Sequence, residues 1–249
     1  MSRPRAARLA FDRGECVEHV VMRAFMEHTE WLAPAWLFDK ATEGRKVCFD
    51  GQHVVPEGEL WVFTEAATAN HASQSGTRLG TYVSGIPGTE LFGALKQDSG
   101  AVRINPGGYA EDELCFTPDA YDGLTEWATG IAIERGLPYV TDGAFSETML
   151  ARLRAHPRYY LPFFADGRMI SKPGYGGFEQ PGVLCVTQDA YDAFTGALDD
   201  ALAAQIQQII ATPEELKVHV EKQKIDAVFF NPMGPGATAV LPASAFSAL

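Results

Sequence analysis

Apolar residues early in the chain fall at helical spacing. Val17, Val20, Val21, Phe25 and Met26 predict a helix over Glu15 to His28, stopped by the Trp31-Leu32-Ala33-Pro34 segment. Val47-Cys48-Phe49 reads as a strand of a hairpin across Glu43 to Gly58, with Asp50-Gly51 as its turn. Glu59 to Ala66 reads as a strand running into a helix start, with Thr64 placed to accept the first unpaired N–H groups. Leu91, Phe92 and Leu95 mark a short helix over Thr89 to Lys96. Asp98 to Pro106 is a short apolar strand ending in Asn105-Pro106, and Glu113 to Ala120 is another strand leading into a helix. That helix carries Tyr121, Leu124, Trp127, Ala128 and Ile131 on one face, with Gly136 as its stop.

The pattern then recurs. Shifted by 128 positions, Met22 falls on Leu150, Phe25 on Leu153, His28 on His156, Trp31 on Tyr159 and Pro34 on Pro162. Gly182 to Ala190 is again a strand before a helix, with Thr187 at the cap. Asp189 to Ile210 reads as a helical connection, and Thr212-Pro213-Glu214-Glu215 opens a capped helix through Lys222. Lys224 to Pro232 echoes the earlier Asn-Pro strand 126 positions on, and Thr238 to Ala245 is a final strand and helix start. The order predicts two similar units, 13–136 and 146–249, joined by a turn-rich linker at 137–145 and preceded by a mobile basic tail at 1–12. The expected fold is α+β or α/β, each unit a small mixed sheet covered by helices, the two packed as a pseudo-symmetric pair.

These segments resemble the SseB N-terminal-type domain, a bacterial family named for an enhanced serine sensitivity phenotype. The likeness rests on the N-terminal helix, the aromatic-and-proline segment, the strand ending in Phe63-Thr64, the middle helix, Asn105-Pro106-Gly107 and the last strand and helix. The second half repeats it with Val186-Thr187 and Asn231-Pro232, but has Val186 in place of Phe and Met233 in place of Gly. The resemblance covers nearly all the chain beyond residue 13. It implies a soluble α/β bacterial protein and hands over no catalytic residue.

Composition narrows the function classes. Of 249 residues 32 are acidic and 20 basic, a formal net charge of −12. Such a surface repels phosphate backbones, which argues against nucleic acid and favours solubility or a basic protein partner. No signal peptide and no stretch able to span a bilayer is read, so a cytoplasmic protein off the membrane is expected. Cys16, Cys48, Cys115 and Cys185 lie too far apart for zinc spacing and are expected as buried free thiols, with no metal and no cofactor.

Candidate chemistry weighs toward structural roles. His28 and His156 close helices, where a cationic ring meets the negative end of the dipole. Asp119/Asp122 and Asp189/Asp192 fall in first turns, where acids stabilise the dipole. Cys48 with Asp50 and His53 is a local thiol–acid–histidine trio without a third orienting group. Gly174-Tyr175-Gly176-Gly177 lacks the lysine and hydroxyl of a phosphate loop. Candidate binding residues are Asn105 and Asn231 at the strand ends, Tyr109 beyond the first, and the aromatics Trp31, Trp36, Tyr159 and Tyr160. The leading expectation is a non-catalytic protein-binding or regulatory module, of the kind an immunity factor is, with a homo-oligomer left open. The alternative is a small-molecule site or enzyme in a cleft between the repeats.

Overall fold

The basic N-terminus does not stand free. In the computed structural model it forms helix α1 (Arg3–Asp12), with Pro4 buried in its first turn, and α1 packs on α2 (Glu18–Glu27). Arg3 pairs with Glu27 at 2.6 Å and Arg8 with Asp12, so cations expected to extend a tail are paired within the helical layer. The structure describes residues 2–38, 46–49, 58–74, 80–96, 99–107, 113–140, 145–171 and 174–248, and of 46–49, 175, 247 and 248 only the main chain.

After α2 come β1 (Trp31–Pro34), β2 (Lys46–Phe49), β3 (Glu59–Val62), α3 (Ala66–Gln74), β4 (Tyr82–Ile86), α4 (Gly88–Gly93), β5 (Ala101–Ile104), β6 (Leu114–Phe116) and α5 (Tyr121–Gly136). The second half contains α6 (Glu147–Ala155), β7 (Tyr159–Phe164), β8 (Pro181–Leu184), α7 (Gln188–Gly196), α8 (Asp200–Ala203), β9 (Ile206–Ala211), α9 (Pro213–Lys222), β10 (Ala227–Phe230) and β11 (Ala239–Pro242). This is an α+β fold with small mixed and antiparallel sheets. Among the described residues no helix is long and apolar enough to cross a membrane.

The chain divides into two compact units, Met1–Ala128 and Thr129–Leu249. The division falls inside α5, ahead of the turn-rich segment where composition alone sets it. Gly136 stays right-handed at φ −83° and is no left-handed stop; a Cβ there would run into the Met149 side chain. Leu137 beyond it is buried in the second unit's core, with Ile133.

Within the first unit, β3 pairs parallel with β5, and β5 antiparallel with β6. β4 lies antiparallel between β1 and β2. A single bridge, Leu32 to Phe63, joins β1 to the end of β3. In the second unit β8 pairs parallel with β10, β10 antiparallel with β11, and β7 antiparallel with β9. There the bridge is Tyr160 to Cys185. Pairing order and strand direction are the same, except that among the described residues β2 has no equivalent beside β9.

Two strands depart from expectation. β4 lies between the expected strand and short helix of the first unit. Asp189 to Ile210 is not one helix: α7 ends at Gly196, α8 starts on the Asp199 cap, and the β-branched run from Ile206 pairs with β7. The Thr212–Glu215 capping box forms as the sequence suggests.

Burial follows the pleat. Leu60, Val62, Val102 and Ile104 share the buried face of the first sheet. Beside it Phe25 meets Trp31 edge-on at 5.7 Å and stacks on Phe92 at 6.2 Å. In the second unit Leu184, Val228, Phe230 and Leu241 face a core built with Leu153, Leu216 and Phe246. Val183, Cys185, Ala190, Tyr191 and Phe194 form a second core on the other side of the sheet.

Candidate functional site

Both Asn-Pro turns are buried and left-handed. Asn105 has φ 51° and Asn231 φ 44°, a region that asparagine tolerates better than other residues with a Cβ. Asn105 Oδ1 accepts from Thr64 N at 2.9 Å, and the Thr64 and Thr68 hydroxyls surround the same amide. Asn231 Oδ1 accepts from Val186 N at 3.1 Å, and its Nδ2 donates to Glu134 Oε1 at 3.0 Å. The register therefore matches Thr64 with Val186, one place from the alignment of Thr64 with Thr187. Neither threonine caps a helix with its side chain. Thr64 is held by Asn105, and Thr187 Oγ1 donates to Glu134 at 3.0 Å.

A helix ahead of the histidine helix covers each turn. In the first unit Pro4, Arg5 and Arg8 of α1 border a small cavity with Thr64 and Asn105. In the second unit the end of α5 brings in Glu134, buried to 2% exposure. Gly236 closes over that carboxylate, where any Cβ would overlap it.

The histidines end their helices as read, but His156 is no dipole cation. It is fully buried, with Nδ1 2.9 Å from Thr129 Oγ1 and no aligned partner for Nε2. Burial lowers its pKa from 6.5 to about 4, against weaker support from the backbone of Val186 and Arg158. Above pH 6.5 both folded and unfolded states carry it neutral. Between 6.5 and about 4 the unfolded chain takes up a proton that the folded chain refuses, so stability falls as pH falls through that window. The expected loss is about 3 kcal/mol from pH 7 to pH 4. Urea titrations along that range check it, and His156→Phe should flatten this component of the slope. His28 is less enclosed, with Nε2 2.9 Å from Thr64 O.

Trp31 and Tyr159 are buried and donate to helix-end carbonyls, Trp31 Nε1 to Phe25 O at 3.1 Å and Tyr159 OH to Leu153 O at 2.7 Å. Tyr160 packs in the second core. Of the sequence-selected binding residues that are described, Trp36 alone lies in the open, at 60% exposure. Tyr109 lies outside the described residues, as do Asp50, His53 and the Cys48 side chain. Burial pushes the Cys185 thiol well up, with further help from Glu134, Asp189 and Asp192. Cys16 is half-buried and Cys115 is exposed, unlike the buried thiol expected. No group of three or more His, Cys, Asp or Glu among the described residues could hold a metal ion.

An open apolar groove of about 460 Å³ lies on the second unit, beside the residues that follow Asn231. Val183 and Phe229 form its floor, Phe194, Leu198 and Leu202 one wall, and Pro232 and Met233 the lip. Met233 is 57% exposed. Asn231 lies beneath the lip and supports it. Sequence reasoning named Asn231 as a candidate binding residue but did not single out the wall, although Ala190, Tyr191, Phe194, Ala197 and Leu198 keep helical spacing past the width one core contact needs. Residues 174–216, which carry that wall, contain seven acids (Glu179, Asp189, Asp192, Asp199, Asp200, Glu214, Glu215) and no Lys, Arg or His. The groove can hold apolar side chains, and Asp192, Asp199 and Asp200 lie on the helices or at the cap that form its wall. Among its described lining residues Ser171 carries the hydroxyl, and none is a base to pair with it.

Comparison with protein-family models, curated proteins and solved structures finds no match to this chain.

Proposed function

We propose that this chain is a non-catalytic protein-binding module of the SseB-like type, made of two related units and acting in the bacterial cytoplasm on a basic protein partner. The observation that carries the reading is the apolar groove of the second unit, open to solvent at Met233, in a chain of net charge −12. Apolar anchors supply affinity at such a surface, while the surrounding charge steers the partner and excludes acidic competitors. Cys185 and His156, the buried thiol and imidazole of this unit, are held uncharged at neutral pH and away from solvent, which supports binding over catalysis.

The test is affinity capture from the source cell with wild-type chain and Met233→Lys. A specific basic partner should be retained at low salt and shed as ionic strength rises. Met233→Lys sets a cation on the exposed lip and should weaken retention by about tenfold, roughly 1.4 kcal/mol. Absence of any specific partner across several growth conditions, or equal capture by the variant, would overturn the reading.

A further inference from the structure

In an antiparallel pair, alternate residues turn both main-chain groups toward the neighbour or away from it. Tyr160 exchanges two hydrogen bonds of 2.9 Å with Cys185 and so faces β8. Its register partner Ile210 therefore turns its N–H and C=O out of the sheet. The Pro162 carbonyl accepts from Ile170 N at 3.0 Å, away from β9, which turns Gln208 outward in the same way. Among the described residues no hydrogen bond reaches these outward groups.

The corresponding edge of the first unit is occupied. There β4 has β1 on one side and β2, antiparallel, on the other, whereas among the described residues β9 pairs with β7 alone. Strands left at an edge usually carry a proline, a lysine or a bulge that blocks further pairing. The β9 sequence Ile-Gln-Gln-Ile-Ile-Ala has no proline and no charge, and Ile210 is 50% exposed. A polar relay leads from β9 to an acid: Gln208 Nε2 donates to Gln188 Oε1 at 2.9 Å, and Gln188 Nε2 to Asp192 Oδ1 at 2.8 Å.

We infer that the outer edge of β9 accepts an extended cationic segment of a partner protein, added antiparallel as β2 is added to β4. Main-chain bonds to Gln208 and Ile210 hold it, and its Lys or Arg side chains answer Asp192, which Gln188 links to β9. A second copy of the chain would bring the same seven acids to the contact, so charge disfavours it as the occupant. The inference rests on the reading of a basic protein partner and adds where that partner's backbone docks.

The probe is a synthetic peptide of alternating Lys and Val, added to the full chain at low salt. Amide exchange at Gln208 and Ile210 should slow by about tenfold or more as the edge is covered, while Gln207 and Ile209, already bonded to β7, should not change. By fluorescence anisotropy, Ile210→Pro should weaken binding by about tenfold, Ile210→Thr should bind as wild type, and a Glu/Val peptide should not bind. Failure of the Lys/Val peptide to bind, protection confined to other strands, or equal binding to Ile210→Pro would each overturn the inference. So would protection at Gln208 and Ile210 that rises with chain concentration and needs no peptide, which identifies a second copy as occupant. The exchange measurement uses wild-type chain and decides the matter even where Ile210→Pro does not fold. A native partner lost by Met233→Lys but kept by Ile210→Pro leaves the protein-binding reading in place and removes this one.

Discussion

Asn231→Ala is expected to lower stability by about 4 kcal/mol, read as a drop in the urea midpoint. Three losses combine. Alanine at φ 44° is strained by about 1 kcal/mol where asparagine is tolerated. The Val186 N–H, bonded to Asn231 Oδ1 at 3.1 Å, becomes a buried donor with no acceptor, at about 1–3 kcal/mol. Glu134, deep in the second unit, loses a charge-assisted bond of 3.0 Å, worth about 1.5–3 kcal/mol. The terms overlap, so the expected total sits below their upper sum. Asn231→Asp separates them. It keeps the acceptor for Val186 and the tolerance of positive φ, but sets a second carboxylate against Glu134. That variant should be less stable than wild type at neutral pH although the Val186 bond is kept. Asn105→Ala should cost less, about 2–3 kcal/mol, because the groups it strands are the Thr64 N–H and two hydroxyls, with no buried charge among them. A loss under about 1 kcal/mol for Asn231→Ala would mean that the turn is held by its neighbours and not by the asparagine.

The second large effect is expected from a single methyl group. Gly88 opens α4 against the last turn of α2, donating to His28 O at 2.7 Å. A Cβ at Gly88 would overlap the Phe25 carbonyl oxygen and come within 2.9 Å of Met26 Cα. Both are main-chain atoms of a helix whose neighbouring side chains Phe25 and Trp31 are locked in ring contacts, so no flexible group can give way. Gly88→Ala should therefore cost about 3–4 kcal/mol, at the upper end of what overpacking does. Gly123 in α5 is the control, since a Cβ there meets nothing within 4 Å. Gly123→Ala should stabilise by about 0.5–1 kcal/mol through helix propensity alone. Comparable losses for both would remove the steric explanation.

What the sequence made legible was chemistry that acts over a few residues. The histidine, aromatic and proline after α2 and α6 could be read because a helix end, a ring donor and an extended exit are local requirements. The Asn-Pro turns could be read for the same reason. β4 and β9 were not legible. Gly85 interrupts the first, and the adjacent Ile209 and Ile210 blur both periods in the second, so each strand is set by its pairing with β1 or β7. Thr64 and Thr187 look like helix caps from the residues around them. Their hydroxyls are taken by Asn105 and Glu134, 41 and 53 positions away. Trp31 and Tyr159 have the composition of interface anchors, yet their donors bond helix ends and bury the rings. The groove wall shows the opposite case. Phe194 and Leu198 fall in a stretch that reads only as a helical connection, because spacing does not reveal what lies across from them.

The distance along the chain between Glu134 and Asn231 has a consequence for biosynthesis. A nascent chain exposes the Glu134 carboxylate 97 residues before the amide that will enclose it, whereas Asn105 follows Thr64 after only 41. During translation the N-terminal half can complete its asparagine lock early. The C-terminal half must keep an acid hydrated until its last strands leave the ribosome, which makes its closure the late step and the interval before it the time when a chaperone has most to shield.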